Sequence, residues 1–276
     1  MNFKFSLILC IYYLDNPKYL EICFRGILRN TLLPSEIIIV KDGPLSFEQN
    51  EVIKKFQNKY SNLFKIFNLT KNMGSAVASN YAISKTSYEW IVKQDADDFS
   101  FKERFSTLMK HTSNEPSYFG SYMYETFKKK KILKKIPLNS EKIGKMIPYR
   151  NPFNNPTMCF HKALFRNLGG YPQIKFKEDW AFWIVSFNQF NCHNINIPLV
   201  RSINSNSMII RRKGIHNIKS EFLIQKLLIK NRLNTLIKAI SIFFIRVLLL
   251  NLPISFIDIL YKKYLRDDTK FFHKFF

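Results

Sequence analysis

Acidic side chains are scarce in this chain: 20 Asp and Glu stand against 43 Lys and Arg, a formal charge of +23 over 276 residues. Such an imbalance favours nucleic acid, an anionic membrane or anionic substrates without choosing among them. Much of the surplus is lysine in a chain also rich in Ile, Asn and Phe, so composition alone assigns no function. Cysteine is sparse too. Cys10, Cys23, Cys159 and Cys192 form no CxxC pair and no ligand-like spacing with histidine, which excludes a disulfide scaffold and a zinc site. Reduced, packed thiols in a cytosolic protein are expected. Neither GxGxxG nor GxxxxGK[ST] occurs, which removes a Rossmann cofactor site and a P-loop. Signatures of RRM, KH and helix-turn-helix modules are missing as well, against a nucleic-acid partner. The apolar start, residues 1–11, is too short for a signal peptide and runs straight into polar residues. Residues 239–261 are long enough to span a bilayer, but Arg246, Asn251, Pro253 and Asp258 interrupt them, and a spanning helix wants about 20 residues with few or no charges.

What is present reads as alternating strand and helix. Residues 5–12 (FSLILCIY) are a continuous apolar run, as in a parallel strand buried on both faces. Asn16-Pro17 then caps a helix whose apolar face is Leu20, Cys23, Phe24, Ile27 and Leu28. A second strand covers residues 36–40 and ends in the turn Lys41-Asp42-Gly43-Pro44; helix follows over 47–60 and a third strand over 63–68. Asn72-Met73-Gly74 breaks the chain before a small-residue helix over 75–84. The fourth strand, residues 89–93, runs into Asp95-Ala96-Asp97-Asp98. Three carboxylates within four positions repel one another unless a cation sits among them, and hard oxygen ligands suit Mg²⁺ or Mn²⁺. The alternation with short connections predicts right-handed crossovers and a mainly parallel sheet, whose carboxyl edge is where such folds bind ligands.

The second half is less regular. A strand is expected over 118–124, and the lysine-rich residues 128–135 read as a hairpin or a flexible loop, with a solvated edge favoured over a phosphate patch. Two prolines make residues 151–157 irregular. A short helix over 162–168 stops at Gly169-Gly170, and another opens at Glu178-Asp179 with its acids in the first turn and runs to about 190. A last strand over 195–200 contains Pro198, which predicts a sheet edge. From 222 to 244 a polar stripe of Lys226, Lys230, Asn234, Lys238 and Ser241 runs along one otherwise apolar helix. Two readings of this extension are open: an amphipathic helix on an anionic membrane surface, or a helical hairpin packed on the domain's own core.

At this point the chain resembles the family 2 glycosyltransferases with the GT-A fold, of the bacterial exopolysaccharide and O-antigen type. The motifs fall in that family's order: Tyr12-Tyr13, Asp42-Gly43-Pro44, Asn72-x-Gly74-x-x-x-Ala78-x-Asn80, the DxD-type Asp95-Ala96-Asp97-Asp98 with Arg104-Phe105 after it, then Asn154-Asn155-Pro156-Thr157, Gly169-Gly170-Tyr171 and Glu178-Asp179-Trp180. The resemblance covers residues 3–213 and implies an α/β fold: a Rossmann-like, mainly parallel sheet flanked by helices, with an amphipathic helical C-terminal extension. Expected boundaries are a catalytic domain over 1–218, divided into a nucleotide-sugar half (1–115) and an acceptor half (116–218), and an extension over 219–276.

The resemblance implies an inverting transfer, by single displacement, from a nucleoside diphosphate sugar, UDP-linked, to a hydroxyl of a lipid-linked saccharide. Tyr12 would lie beside the base and Asp42 would accept a hydrogen bond from its edge. Asn72 belongs to the same nucleotide side, although it also shapes the turn. Asp97 would meet the ribose, Asp98 would ligate Mg²⁺ or Mn²⁺ on the diphosphate, and Asp95 and Lys93 would support them. Asp179 would be the general base, with Glu178, Trp180 and Asn155 on the acceptor side. Arg211 and Arg212 resemble a basic pair that closes on the diphosphate, and a solvated or lipid-facing cluster is their other reading. Asp42 could instead make an Asx turn, and Asp179 could act only as a helix N-terminal charge. Relatives often carry histidine where Asn155 stands and arginine where Lys93 stands. The chemistry asks independently for these residue types: a carboxylate near the incoming hydroxyl, and positive charge for the departing diphosphate. The competing classes are a sugar-1-phosphate nucleotidyltransferase, which lacks its Gly-rich loop at Asp15-Asn16-Pro17, and a basic nucleic-acid-binding protein. The expected location is the cytoplasm, peripheral on the inner face of the cell membrane.

Overall fold

Residues 3–127, 130–203 and 215–251 are described by the computed structural model. Four parallel strands form one half of a single sheet: β1 (Phe5–Ile11), β2 (Glu36–Lys41), β3 (Phe64–Asn68) and β4 (Trp90–Asp95). The other strands are β5 (Asp98–Ser100), β6 (Ser117–Phe127), β7 (Lys130–Lys134), β8 (Cys159–His161) and β9 (Asn191–Ser202). The order is β3-β2-β1-β4-β8-β6-β9-β5, with β7 paired to β6. Helices α1 (Pro17–Leu28), α2 (Phe47–Lys59) and α3 (Ser75–Ser84) supply the crossovers. Later come α4 (Arg104–Met109), α5 (Ser140–Met146), α6 (Ala163–Leu168), α7 (Glu178–Ser186), α8 (Ile215–Lys230) and α9 (Leu236–Asn251).

The apolar runs of β1 and β2 are continuous because both of their faces are covered. Leu7, Leu9, Ile11, Ile37 and Ile39 pack with Leu20, Phe24 and Ile27 of α1 and Ile53 and Phe56 of α2, whereas Ile8, Ile38 and Val40 pack with Ala78, Ala82 and Ile83 of α3. Burying each such Leu, Ile or Phe contributes roughly 1.5–3 kcal/mol. Local signals set the helix starts. Asn16 Oδ1 accepts from Lys18 N at 2.9 Å with Pro17 in the first turn, and Ser46 and Gln49 form a reciprocal capping box on α2.

Two expectations are corrected. The strand containing Pro198 is not at an edge: β9 runs for 12 residues between β6 and β5. Its pairing with β6 is irregular between Ser121 and Met123, opposite Pro198, and β5 pairs only with Val200–Ser202. The proline therefore falls where the ladder is already interrupted and its missing N–H costs no bond. The single helix expected over 222–244 is broken at residues 231–235, where Arg232 takes φ +57°. The two pieces form a hairpin. Ile224 and Leu228 of α8 pack on Trp180, Ala181 and Ile184 of α7, and α9 lies on α8. The lysine-rich residues form the β6–β7 hairpin, with Phe127 opposite Lys130; residues 128–129 lie outside the described ones. Among the described residues no helix is long and apolar enough to cross a membrane.

At the amino end of β2 the buried Glu36 carboxylate accepts from Ser6 Oγ (2.6 Å), Lys65 Nζ (2.6 Å), Ser87 N (2.5 Å) and Ser87 Oγ (3.0 Å). Burial alone would raise its pKa, but these donors together hold it below the ordinary carboxylate value. A depressed folded-state pKa contributes stability that is present above the unfolded value and lost as pH falls through the folded one. Glu36→Gln is therefore expected to lower stability at neutral pH by about 2 kcal/mol and to lose less than the parent on acidification, as read by urea unfolding at pH 7 and pH 4.

Candidate active site

Parallel pairing puts three strand ends side by side. Cys10 of β1 stands in register with Asp95 of β4 and with Val40 of β2, so the segments leaving β1, β2 and β4 emerge at one edge. Asp42, immediately after β2, donates its N–H to Ile11 O (2.7 Å) and is 5% exposed. Its carboxylate accepts from Met73 N (2.6 Å) and Gly74 N (3.0 Å). Gly43 has φ +90°, and a Cβ there would lie 2.6 Å from Asn72 N, so only glycine lets the two loops meet this closely. Asp42 thus joins the turn after β2 to the loop before α3, and each carboxylate oxygen keeps acceptor capacity for a ligand. Asn72 is exposed on that loop. Tyr12 is half-buried, its N–H donating to Asp15 Oδ2 (2.9 Å) and its carbonyl accepting from Gln49 Nε2 (2.9 Å).

The acidic turn is built over a buried cation. Gln94 Nε2 donates to the carbonyls of Asp95 (2.9 Å) and Asp98 (3.0 Å), closing the turn from below. Gln94 Oε1 accepts from Ser100 Oγ (2.8 Å) and from the Arg104 guanidinium. Arg104, wholly buried, also reaches Ser100 Oγ (2.8 Å), Lys93 O (2.6 Å) and Pro156 O (2.7 Å). Burial pulls its pKa down to about 10, which leaves it charged at neutral pH. Asp98 is 3% exposed. Burial, then the charges of Asp97 and Asp95, push its carboxyl well above the ordinary range despite Arg104 and Lys93. Lys93 pairs with Asp95; burial opposes its charge, Asp95 outweighs the burial, and the ammonium is held above its usual pKa. Burial drives the Cys10 thiol up to about 12, so it is an inert wall of the site.

The third side comes from the second half of the chain. Asn80 of α3 clamps the backbone of Tyr171, donating Nδ2 to Tyr171 O (3.0 Å) and accepting from Tyr171 N (2.7 Å). From there the chain reaches α7. Asp179 accepts from Asn151 Nδ2 (2.8 Å) and from Trp180 N (2.8 Å). Glu178 bonds Ser75 at the start of α3, and burial followed by the Asp179 charge raises its pKa. Charges from all three sides reach one another: Lys93 feels Asp95 and Asp179, and the Cys10 thiol feels Lys93, Asp95 and Asp42. Asp42, Lys93, Asp95, Asp98, Glu178 and Asp179 are thus brought into one region. Trp180 is not an open surface: it is 4% exposed, and its indole N–H donates to Ile147 O (3.0 Å). The Oδ1 atom of Asn155, next to the carbonyl that Arg104 holds, is buried without a hydrogen-bond partner. Arg211 and Arg212 lie outside the described residues.

Gln94, Ser100 and Asn151 carry no sequence signal of their own. Their roles come from contacts across the sheet and between loops.

Among the described residues no three or more His, Cys, Asp or Glu are grouped to hold a metal ion. The carboxylates nevertheless fit a cation that takes most of its ligands from water and a diphosphate, as Mg²⁺ does. Asp98, buried among like charges, is the carboxyl whose ionised form such a cation would stabilise most.

Replacing the Arg104 guanidinium by an ammonium keeps the charge and loses the fork that holds Lys93 O, Pro156 O, Ser100 and Gln94 at once. Arg104→Lys is expected to cost about 3 kcal/mol in denaturant unfolding, because it leaves buried acceptors unpaired.

Comparison with known proteins follows the same lines. The profile described as "Glycosyl transferase family 2" matches residues 6–168, well over half of the chain. The chain is 33% identical over 273 residues to the UDP-Gal:alpha-D-GlcNAc-diphosphoundecaprenol beta-1,3-galactosyltransferase of Escherichia coli, covering 95% of this chain and 97% of that protein. It is 28% identical to the amylovoran biosynthesis glycosyltransferase AmsE of Erwinia amylovora, covering 94% and 98%. Among solved structures, S. aureus TarS 1-349 in complex with UDP-GlcNAc superposes with a TM-score of 0.66 at 16% identity. That match covers 82% of this chain and 66% of TarS 1-349, so the chain spans just under two thirds of that structure. At this identity the likeness shows the fold.

Proposed function

The chain belongs to glycosyltransferase family 2, and on that premise we propose that it moves a sugar from a UDP-linked donor to a hydroxyl of a lipid-linked saccharide during assembly of a bacterial surface polysaccharide (O-antigen, exopolysaccharide or capsule). The observation that carries this reading is the convergence of Asp42, the acidic turn and Asp179 from three separate parts of the chain. The E. coli relative, named for UDP-Gal and a diphosphoundecaprenol-linked GlcNAc, supports both the donor and the lipid-linked acceptor.

In this reading Tyr12, Asp42 and the Asn72 loop receive the base, and Asp97 receives the ribose. Mg²⁺ or Mn²⁺, held by Asp98, would neutralise charge developing on the departing diphosphate. Lys93 holds Asp95 in place and adds positive charge beside the turn. Arg211 and Arg212 are assigned to the diphosphate from their sequence alone. Asp179, oriented by Asn151, takes the proton of the acceptor hydroxyl as that oxygen attacks the anomeric carbon. Attack from the face opposite the leaving group inverts the anomeric centre in one displacement. Glu178 and Asn155 line the acceptor side, and Trp180 contributes by packing.

The reading extends to location: the protein works in the cytoplasm, on the inner face of the membrane, without a nucleic-acid partner. The outer face of α9 exposes Leu236, Ile237, Ile240, Phe244 and Leu248. In residues 215–251 the only acid is Glu221, which is buried, while Lys219, Lys226, Lys230, Arg232 and Lys238 are exposed. An apolar face flanked by lysines suits anionic headgroups.

Asp98→Ala is expected to abolish metal-dependent donor binding, and Asp179→Asn to keep binding while losing transfer by roughly 100- to 10,000-fold. Calorimetry with UDP-sugars and Mn²⁺, with and without chelator, checks the first; tight binding that survives both chelation and Asp98→Ala overturns the assignment. For the membrane face, replacing Ile237 and Phe244 together by Glu is expected to end flotation with phosphatidylglycerol vesicles, and flotation equal to the parent's would refute it.

A further inference from the structure

Glu221 of α8 has no exposed surface, and its carboxylate gathers three side chains. It accepts from Lys177 Nζ, from Arg246 Nη1 at 2.9 Å and from Gln225 Nε2 at 2.8 Å. Burial would raise its pKa, but Arg246 and Lys177 outweigh it and keep the group below the usual carboxylate range. The two cations come from different elements: Arg246 from α9 and Lys177 from the cap of α7. Both lie over the Trp180 ring, with Arg246 Cζ 4.8 Å and Lys177 Nζ 5.7 Å from its centroid. Start of α7, α8 and α9 are therefore joined at one carboxylate.

A buried ion cluster of this kind is weak evidence for stability, because desolvation offsets much of its attraction. Its position says more. Lys177 O accepts the first helical bond of α7 from Ala181 N (2.9 Å), and Glu178 and Asp179 follow directly. Just before it, Phe176 has φ +65°, a left-handed conformation that a phenylalanine rarely adopts. Such a residue persists only where surrounding contacts hold it. Lys177 N donates to Ile174 O (3.0 Å) across this turn, and the Lys177 side chain, anchored on Glu221, ties the same residue to α8.

We propose that Glu221 is a positioning residue for sugar transfer: by anchoring Lys177 it holds the strained turn at Phe176 and so fixes the aim of Asp179 at the start of α7. The C-terminal hairpin is then part of the acceptor side of the site, and Arg246 completes the anchor from α9. The inference rests on the reading of Asp179 as the base.

The test compares variants of the full chain. Glu221→Gln keeps the shape and loses the charge; it is expected to lower kcat about 10- to 100-fold, as small misplacement of a reacting group does. The donor KM should stay within about twofold, because the nucleotide contacts lie on other elements. Lys177→Met should show the same split, and the double variant should be no worse than either single, since both break one contact. Glu36→Gln, at the amino end of β2, lowers stability and leaves the ion cluster intact, so it controls for stability. At a temperature where circular dichroism shows both folded, Glu36→Gln should keep kcat and Glu221→Gln should not. Equal loss in the two, or a donor KM that rises as kcat falls, overturns the proposal. Amide exchange separates this from the base assignment. Faster exchange over residues 178–181 in Glu221→Gln, with Asp179→Asn retaining transfer, would overturn the choice of base and leave the anchor standing. Unchanged exchange there would overturn the anchor.

Discussion

A guanidinium sealed beneath an acidic turn is the constraint around which the site is arranged. Arg104 holds the carbonyls of Lys93 and Pro156 and the side chains of Gln94 and Ser100 in one network. Gln94 in turn holds the carbonyls on either side of the turn, those of Asp95 and Asp98. A buried charge that satisfies so many acceptors cannot move without leaving several of them unpaired, each at a cost of about 1–3 kcal/mol. The turn between β4 and β5, and its spacing from the Asn155–Thr157 segment, are therefore rigid before any ligand arrives. Preorganisation of this sort lowers the ordering cost of binding.

Like charges then do the rest. Burial and two neighbouring carboxylates disfavour the ionised form of Asp98, while Lys93 is committed to Asp95. Asp179 and Glu178 are a second like-charged pair, set at the start of α7 by contacts from Asn151, Ser75 and the C-terminal hairpin. The two acidic groups rest on different halves of the chain, and the Asn80 clamp on Tyr171 ties those halves together.

Much of the first half was legible in the residues. The run FSLILCIY, the Asn16-Pro17 start and the small-residue helix before Asp95 gave strand and helix in the right order, because local burial patterns and caps act over short distances. Pro198 misled because a bulge, which is a property of two strands together, removes the cost that proline normally carries. The polar stripe from Lys226 to Ser241 misled in another way: it persists across the break at Arg232, so periodicity alone ran two helices together.

By itself the sequence determined the apolar strands, the helix caps, the order of the motifs and the crowding of Asp95, Asp97 and Asp98 within one turn. All of these depend on residues a few positions apart. Only the tertiary structure decided that Arg104 lies under that turn, that Asp42 grips the loop before α3, and that Glu221 reaches Lys177 beside Asp179. These contacts join residues tens of positions apart, and which buried charge meets which acceptor is set by sheet order and helix packing.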